Sequence, residues 1–93
     1  MAALSDAEIE QRLAGMGGWR RDGQTIICDR DFEDFKAAIA FVNRVADVAE
    51  AANHHPDILV HGWNKVRLSL STHSAGALTE ADFGLAGRID ELR

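Results

Sequence analysis

The chain has 93 residues, the length of one small domain, with 10 Lys+Arg against 15 Asp+Glu and a formal net charge of −5. That balance excludes a direct nucleic-acid binder, which needs a basic footprint. Hydrophobic residues at 46% exceed charged ones at 27%, so a disordered tail is excluded too. In chain order, Ser5 and Glu8 form a capping box that opens a first helix, with Ile9, Leu13 and Met16 at helical spacing. Gly15, Gly17 and Gly18 end that helix. Trp19 to Arg21 and Gln24 to Asp31 read as two strands around Asp22-Gly23, a pair that supplies the positive φ of a tight hairpin.

The segment from Glu33 to Asn53 reads as a long amphipathic helix. Phe35, Ala38, Ile39, Val42, Val45, Ala46 and Ala49 follow the 3.6-residue period. Ala37, Phe41, Val48 and Ala52 widen the apolar arc to roughly 200°, at about 100° per residue. One sheet uses an arc of ~100° or somewhat more, so the surplus predicts a second surface, most simply another copy of the chain. The alternative is that the alanines are exposed helix formers. After Pro56, Asp57 to Trp63 and Lys65 to Thr72 read as a second hairpin; in the latter, Val66, Leu68 and Leu70 alternate with Arg67, Ser69 and Ser71. Thr79 caps a last helix with Asp82 in the capping-box position, and Phe83, Leu85, Ala86, Ile89 and Leu92 supply its apolar side. The order α-β-β-α-β-β-α with hairpin connections predicts a two-layer α+β domain over residues 1–93, with helices covering one face of an antiparallel sheet.

Four histidines carry the chemical interest. His54 and His55 stand where the long helix must end, because Pro56 disfavours helical geometry in the residue before it. Protonated imidazole is favoured there by the helix C-terminus, by about 0.3–1 kcal/mol at exposed sites. Glu50, one turn before His54, is expected to orient it and favour its charged form. His73 follows the last strand, and an out-and-back hairpin brings it beside the helix end, so three imidazoles are expected in one cleft. His61, inside the hairpin, is expected to be structural. Histidine can give a proton and take one back, as an elimination requires. Glu50, His54 and His73 could alternatively ligate zinc, although no recognised metal spacing is present and the lone Cys28 offers neither a disulfide nor a cysteine zinc motif. No GxSxG elbow and no phosphate-cradling loop occur.

The spacing Glu50-x3-His54-His55-Pro56, six residues to Trp63, nine to His73 and eight to Asp82 resembles the signature of the pterin-4a-carbinolamine dehydratases. Gly18-Trp19, Ala49-Glu50, Asn64-Lys65-Val66, Ser71-Thr72-His73 and Leu78-Thr79-x-x-Asp82 continue the likeness, from about Leu13 to the C-terminus. The resemblance implies a four-stranded antiparallel sheet with helices on one face, a homodimer or homotetramer, and dehydration of 4a-hydroxytetrahydropterin to quinonoid dihydropterin. That reaction recycles the pterin of aromatic amino acid hydroxylases. It implies no metal and no cofactor, the pterin being substrate. By resemblance His54 and His73 are the acid/base pair and His55 positions the pterin. Glu50, Asn53, Pro56, Trp63 and Asp82 support them, with Trp63 beside the flat ring and Asp82 capping the last helix. Asn53 stands where some members carry an acid, and Trp63 where Tyr is common. Relatives that serve as a dimerisation cofactor or assembly factor supply the alternative, a non-catalytic binding protein acting through its helical face. The start, MAALSDAEIE, lacks the basic and apolar regions of a signal peptide, and the apolar stretch Ala37 to Val42 falls short of the ~20 residues of a membrane span. A cytoplasmic location without membrane contact is expected.

Overall fold

Two β-hairpins laid side by side make the sheet on which the helices rest. The computed structural model describes residues 2–92. Its elements are α1 (Asp6–Ala14), β1 (Trp19–Asp22), β2 (Thr25–Asp31), α2 (Phe35–Ala52), β3 (Asp57–His61), β4 (Lys65–Leu70) and α3 (Glu80–Asp90). The strand order is β1-β2-β4-β3, and every pairing is antiparallel. The expected α+β architecture and element order hold. β2 and β4 form the centre, with Cys28 opposite Leu68 and Ile26 opposite Leu70, while β3 lies on an edge.

Strand alternation sorts the two faces. Ile26 and Cys28 of β2 and Val66, Leu68 and Leu70 of β4 are fully buried against the helices. Ala38, Phe41, Val45 and Ala49 from α2 and Phe83, Leu85, Ala86 and Ile89 from α3 complete the core with Ile9 of α1. Burial pushes the Cys28 thiol pKa up, against the opposing pull of the Arg30 guanidinium. On the uncovered face, Asp29 accepts bonds from Arg20 and Arg67.

Local chemistry sets the element ends. Ser5 and Thr79 each make a reciprocal capping box, with Glu8 and Asp82. Asp34 caps α2 through Ala37 N–H at 2.7 Å. Two hairpin expectations need correction. The first turn is centred on Gly23-Gln24, not Asp22-Gly23, because Asp22 pairs with Thr25 and the positive φ of 61° belongs to Gly23. The second strand pair stops short of Trp63, since His61 pairs with Lys65 and leaves Gly62, Trp63 and Asn64 as the loop. The wide arc of α2 is only partly used: Phe35, Ala46 and Ala52 are exposed.

Candidate active site

α2 ends in a Schellman motif, and that ending aims the histidine pair. Asn53 adopts φ 50°, ψ 42°, a left-handed conformation that Asn tolerates better than most residues. Its N–H donates to Glu50 O at 3.1 Å, and His54 N–H donates to Ala49 O at 3.1 Å. The helix therefore stops at Asn53, three residues before Pro56, and His54 has already left the helical path. A helical i,i+4 pairing of Glu50 with His54 is thereby broken. Glu50 Oε2 instead lies 2.5 Å from Nε2 of His55, with both side chains exposed. This corrects the expected partner of Glu50.

His54 is bound from another element. Its Nε2 lies 2.6 Å from Oδ1 of Asp82, whose side chain is fully buried at the start of α3. Asp82 Oδ2 accepts the Thr79 N–H at 2.9 Å, closing the capping box, and the Thr72 hydroxyl at 2.8 Å. One carboxylate thus caps α3, holds the chain after β4 and orients the imidazole at the end of α2. Thr72 also pairs with Ala77 through the backbone, so His73 sits in a short loop closed by that bridge. A second bond, from Gly76 N–H to His73 O, tightens the loop.

These elements meet at one end of the sheet beside a concavity of about 120 Å³ lined by Thr25, His55, Asp57, Ser69, Ser71 and His73. Its floor is the sheet face that no helix covers, because Thr25, Asp57, Ser69 and Ser71 all have the outward parity of the strands. Two of the three expected imidazoles, His55 and His73, line it. His54 is adjacent to His55 in sequence but has Nε2 turned to Asp82. Pro56 joins His55 to β3. Trp63 lies in the loop at the far tip of the hairpin, beyond the roughly 13 Å that the four steps from Asp57 to His61 span at ~3.3 Å per strand residue, so one chain does not bring it to the concavity. His61 occupies that distant end too. Among the described residues no group of three His, Cys, Asp or Glu side chains could hold a metal ion.

Thr25, Asp57, Ser69, Ser71 and Thr72 join the site without being predicted as site residues. The alternation of β4 puts Ser69 and Ser71 on the outer face but does not mark them as lining a concavity. Thr72 gave no periodic signal, because its contact with Asp82 spans ten residues and two elements.

Fold and site together define a small α+β protein with a histidine–carboxylate cluster at one end of an antiparallel sheet. The model of the family described as pterin 4 alpha carbinolamine dehydratase matches residues 2–92. Full-length relatives agree. A protein of Roseiflexus castenholzii, named "Putative pterin-4-alpha-carbinolamine dehydratase", is 56% identical over 98% of this chain and 97% of its own. One of the same name from Thermomicrobium roseum is 48% identical over 99% and 98%. The chain belongs to the pterin-4a-carbinolamine dehydratase family. Among solved structures, a transcriptional coactivator/pterin dehydratase from Brucella melitensis superposes with a TM-score of 0.90 at 30% identity, covering 96% of each chain. A pterin dehydratase-like protein identified as a RuBisCO assembly factor in the alpha-carboxysome gives a TM-score of 0.65 at 26% identity, over 78% of this chain and 86% of that one.

Proposed function

We propose that the protein is a hydro-lyase that removes water from a 4a-hydroxytetrahydropterin and releases quinonoid dihydropterin. The observation that carries this reading is the placement of His55 and His73 on one concavity, next to a His54 held by the buried carboxylate of Asp82. Hydroxide is a poor leaving group, so a protonated imidazole must give its proton to the C4a hydroxyl. The N5 lone pair then forms the N5–C4a double bond as water departs, and a neutral imidazole takes the N5 proton. One imidazole loses a proton and the other gains one, so the pair returns to its starting state by exchange with solvent. His54 and His73 fill these two roles, and His55, steadied by Glu50, positions the ring. Each proton transfer contributes about 10²–10⁴-fold.

The reaction needs no metal or organic cofactor, and it serves recycling of the tetrahydropterin consumed by an aromatic amino acid hydroxylase in the cytoplasm. The working form in this reading is a homodimer or homotetramer. Supporting that form, the edge strand β3 carries Ile58 and Leu59 exposed at 38% and 52%, and Phe35 and Trp63 are exposed as well.

A second reading, a non-catalytic partner-binding protein, draws support from the assembly factor that shares the fold. Turnover of a synthetic 4a-carbinolamine separates the two. The enzyme accelerates its loss of water in stopped flow; the binding protein leaves the spontaneous rate unchanged.

A further inference from the structure

We propose that Thr72 is a positioning residue that holds His54 as the Nε2–H tautomer, leaving Nδ1 as the ring nitrogen that exchanges protons with substrate. The inference deepens the dehydratase reading and rests on it for the role of Nδ1. It starts from the direction of the hydrogen bonds around Asp82. A backbone N–H only donates, so Asp82 Oδ2 is the acceptor of the bond from Thr79 N–H at 2.9 Å. Thr72 Oγ1 donates to the same oxygen at 2.8 Å. Two donors aimed at Oδ2, in a site with no exposure to water, stabilise negative charge on the carboxylate. A charged carboxylate has no proton to give, so Oδ1 is also an acceptor. The group facing Oδ1 at 2.6 Å is Nε2 of His54, which must therefore carry hydrogen.

Thr72 is well placed to control this. It is 8% exposed, its backbone is pinned to Ala77 on both sides of the bridge, and its hydroxyl also meets Thr79 Oγ1 at 2.8 Å. Removing its O–H takes away one of the two donors on Oδ2, so the carboxylate is held less firmly as an anion and can take a proton from solvent on Oδ1, facing Nε2. Nε2 then becomes the accepting nitrogen and the ring's own hydrogen relocates through solvent to Nδ1, so His54 presents Nδ1–H instead of a free Nδ1 lone pair. A neutral imidazole can accept a proton only at its bare nitrogen, so the wrong tautomer disables His54 without displacing it.

The test compares the wild type with Thr72→Val, which keeps the shape and loses the hydroxyl, and with Thr72→Ser, which keeps the hydroxyl. Long-range proton–nitrogen NMR of the ligand-free protein reads the tautomer, and steady-state kinetics with a synthetic 4a-carbinolamine read kcat and KM. The expected result is a single Nε2–H tautomer for His54 in the wild type and in Thr72→Ser, and a mixture in Thr72→Val. Alongside it, kcat in Thr72→Val falls about 10-fold or more while KM stays within about twofold, and Thr72→Ser retains most of the rate. A wild-type His54 with its hydrogen on Nδ1, or mixed, overturns the proposal. So does a folded Thr72→Val with an unchanged tautomer, or a Thr72→Ser that loses the tautomer. Should Thr72→Val not fold, the wild-type and Thr72→Ser spectra decide. Absence of wild-type turnover would count against the dehydratase reading alone, because the spectra need no substrate.

Discussion

Oδ1 of Asp82 stands 2.6 Å from Nε2 of His54, and this bond ties the first turn of α3 to the second residue after α2. The carboxylate is fully buried and also accepts from Thr72 and Thr79, so its loss strands several donors at once. Asp82→Ala is expected to lower stability by about 1–3 kcal/mol, the cost of leaving buried polar groups without partners. Urea unfolding checks this. An unchanged midpoint would mean that solvent readily replaces the carboxylate.

Asp29 provides a pH test. Its carboxylate accepts hydrogen bonds from Arg67 and Arg20, which lower its pKa from 3.8 to about 2. A folded-state value below the unfolded one stabilises the fold above pH 3.8, and that contribution disappears as pH falls through the window toward 2. Asp29→Asn lacks it at every pH. The stability gap between wild type and Asp29→Asn should therefore be present at pH 6 and close in acid. Because Asp29 and both arginines are exposed, salt should narrow the gap as well. Urea midpoints across the acid range measure both effects.

Trp63 is held in an unusual backbone state. Its φ is 60°, and the N–H of Asn64 donates back to Gly62 O at 2.7 Å, closing a γ-turn of positive φ around a bulky residue. Asn64 fixes the turn by accepting from Phe32 N–H and donating through Nδ2 to Phe32 O, both at 2.9 Å. With the indole 62% exposed, Trp63→Gly should relieve about 1–2 kcal/mol of steric cost and lose a comparable amount in chain entropy and contact. Its stability should stay within about 1 kcal/mol of the parent. Phe41→Ala should cost about 3–5 kcal/mol, since that ring is buried, packs on Phe32 at 5.0 Å and lies under the Arg30 guanidinium. Thermal unfolding of the two variants gives the comparison.

Self-association is expected from the apolar side chains left uncovered on β3 and at the start of α2. Light scattering at micromolar concentration should show a multiple of 10.2 kDa. A lone 10.2 kDa species would contradict that expectation, and Leu59→Lys should shift an oligomer toward it.

The fold was readable in the sequence wherever a local rule governed an element. Ser5 with Glu8 and Thr79 with Asp82 marked helix starts, and alternation in Lys65 to Leu70 marked the inner and outer faces of β4. What escaped was long-range or one residue out of phase. Helical spacing matches Glu50 to His54, but a left-handed Asn53 ends that spacing before His54. The true partner, Asp82, is 28 residues away and met only when α2 and α3 pack. Trp63 closes the strand that the sequence predicts from Asp57, whereas the pairing of His61 with Lys65 leaves Gly62, Trp63 and Asn64 as the loop. The concavity itself is written across β2, β3, β4 and two loops, and no single stretch of chain displays it.

Whether these histidines dehydrate a pterin carbinolamine is read by stopped-flow absorbance with a synthetic 4a-hydroxytetrahydropterin. The wild type should accelerate formation of quinonoid dihydropterin, and a folded His54→Ala, His73→Ala double variant should lose about 10²-fold or more of that acceleration. A wild type that leaves the spontaneous rate unchanged, or a double variant that matches its parent, would mean that these histidines do not catalyse the dehydration.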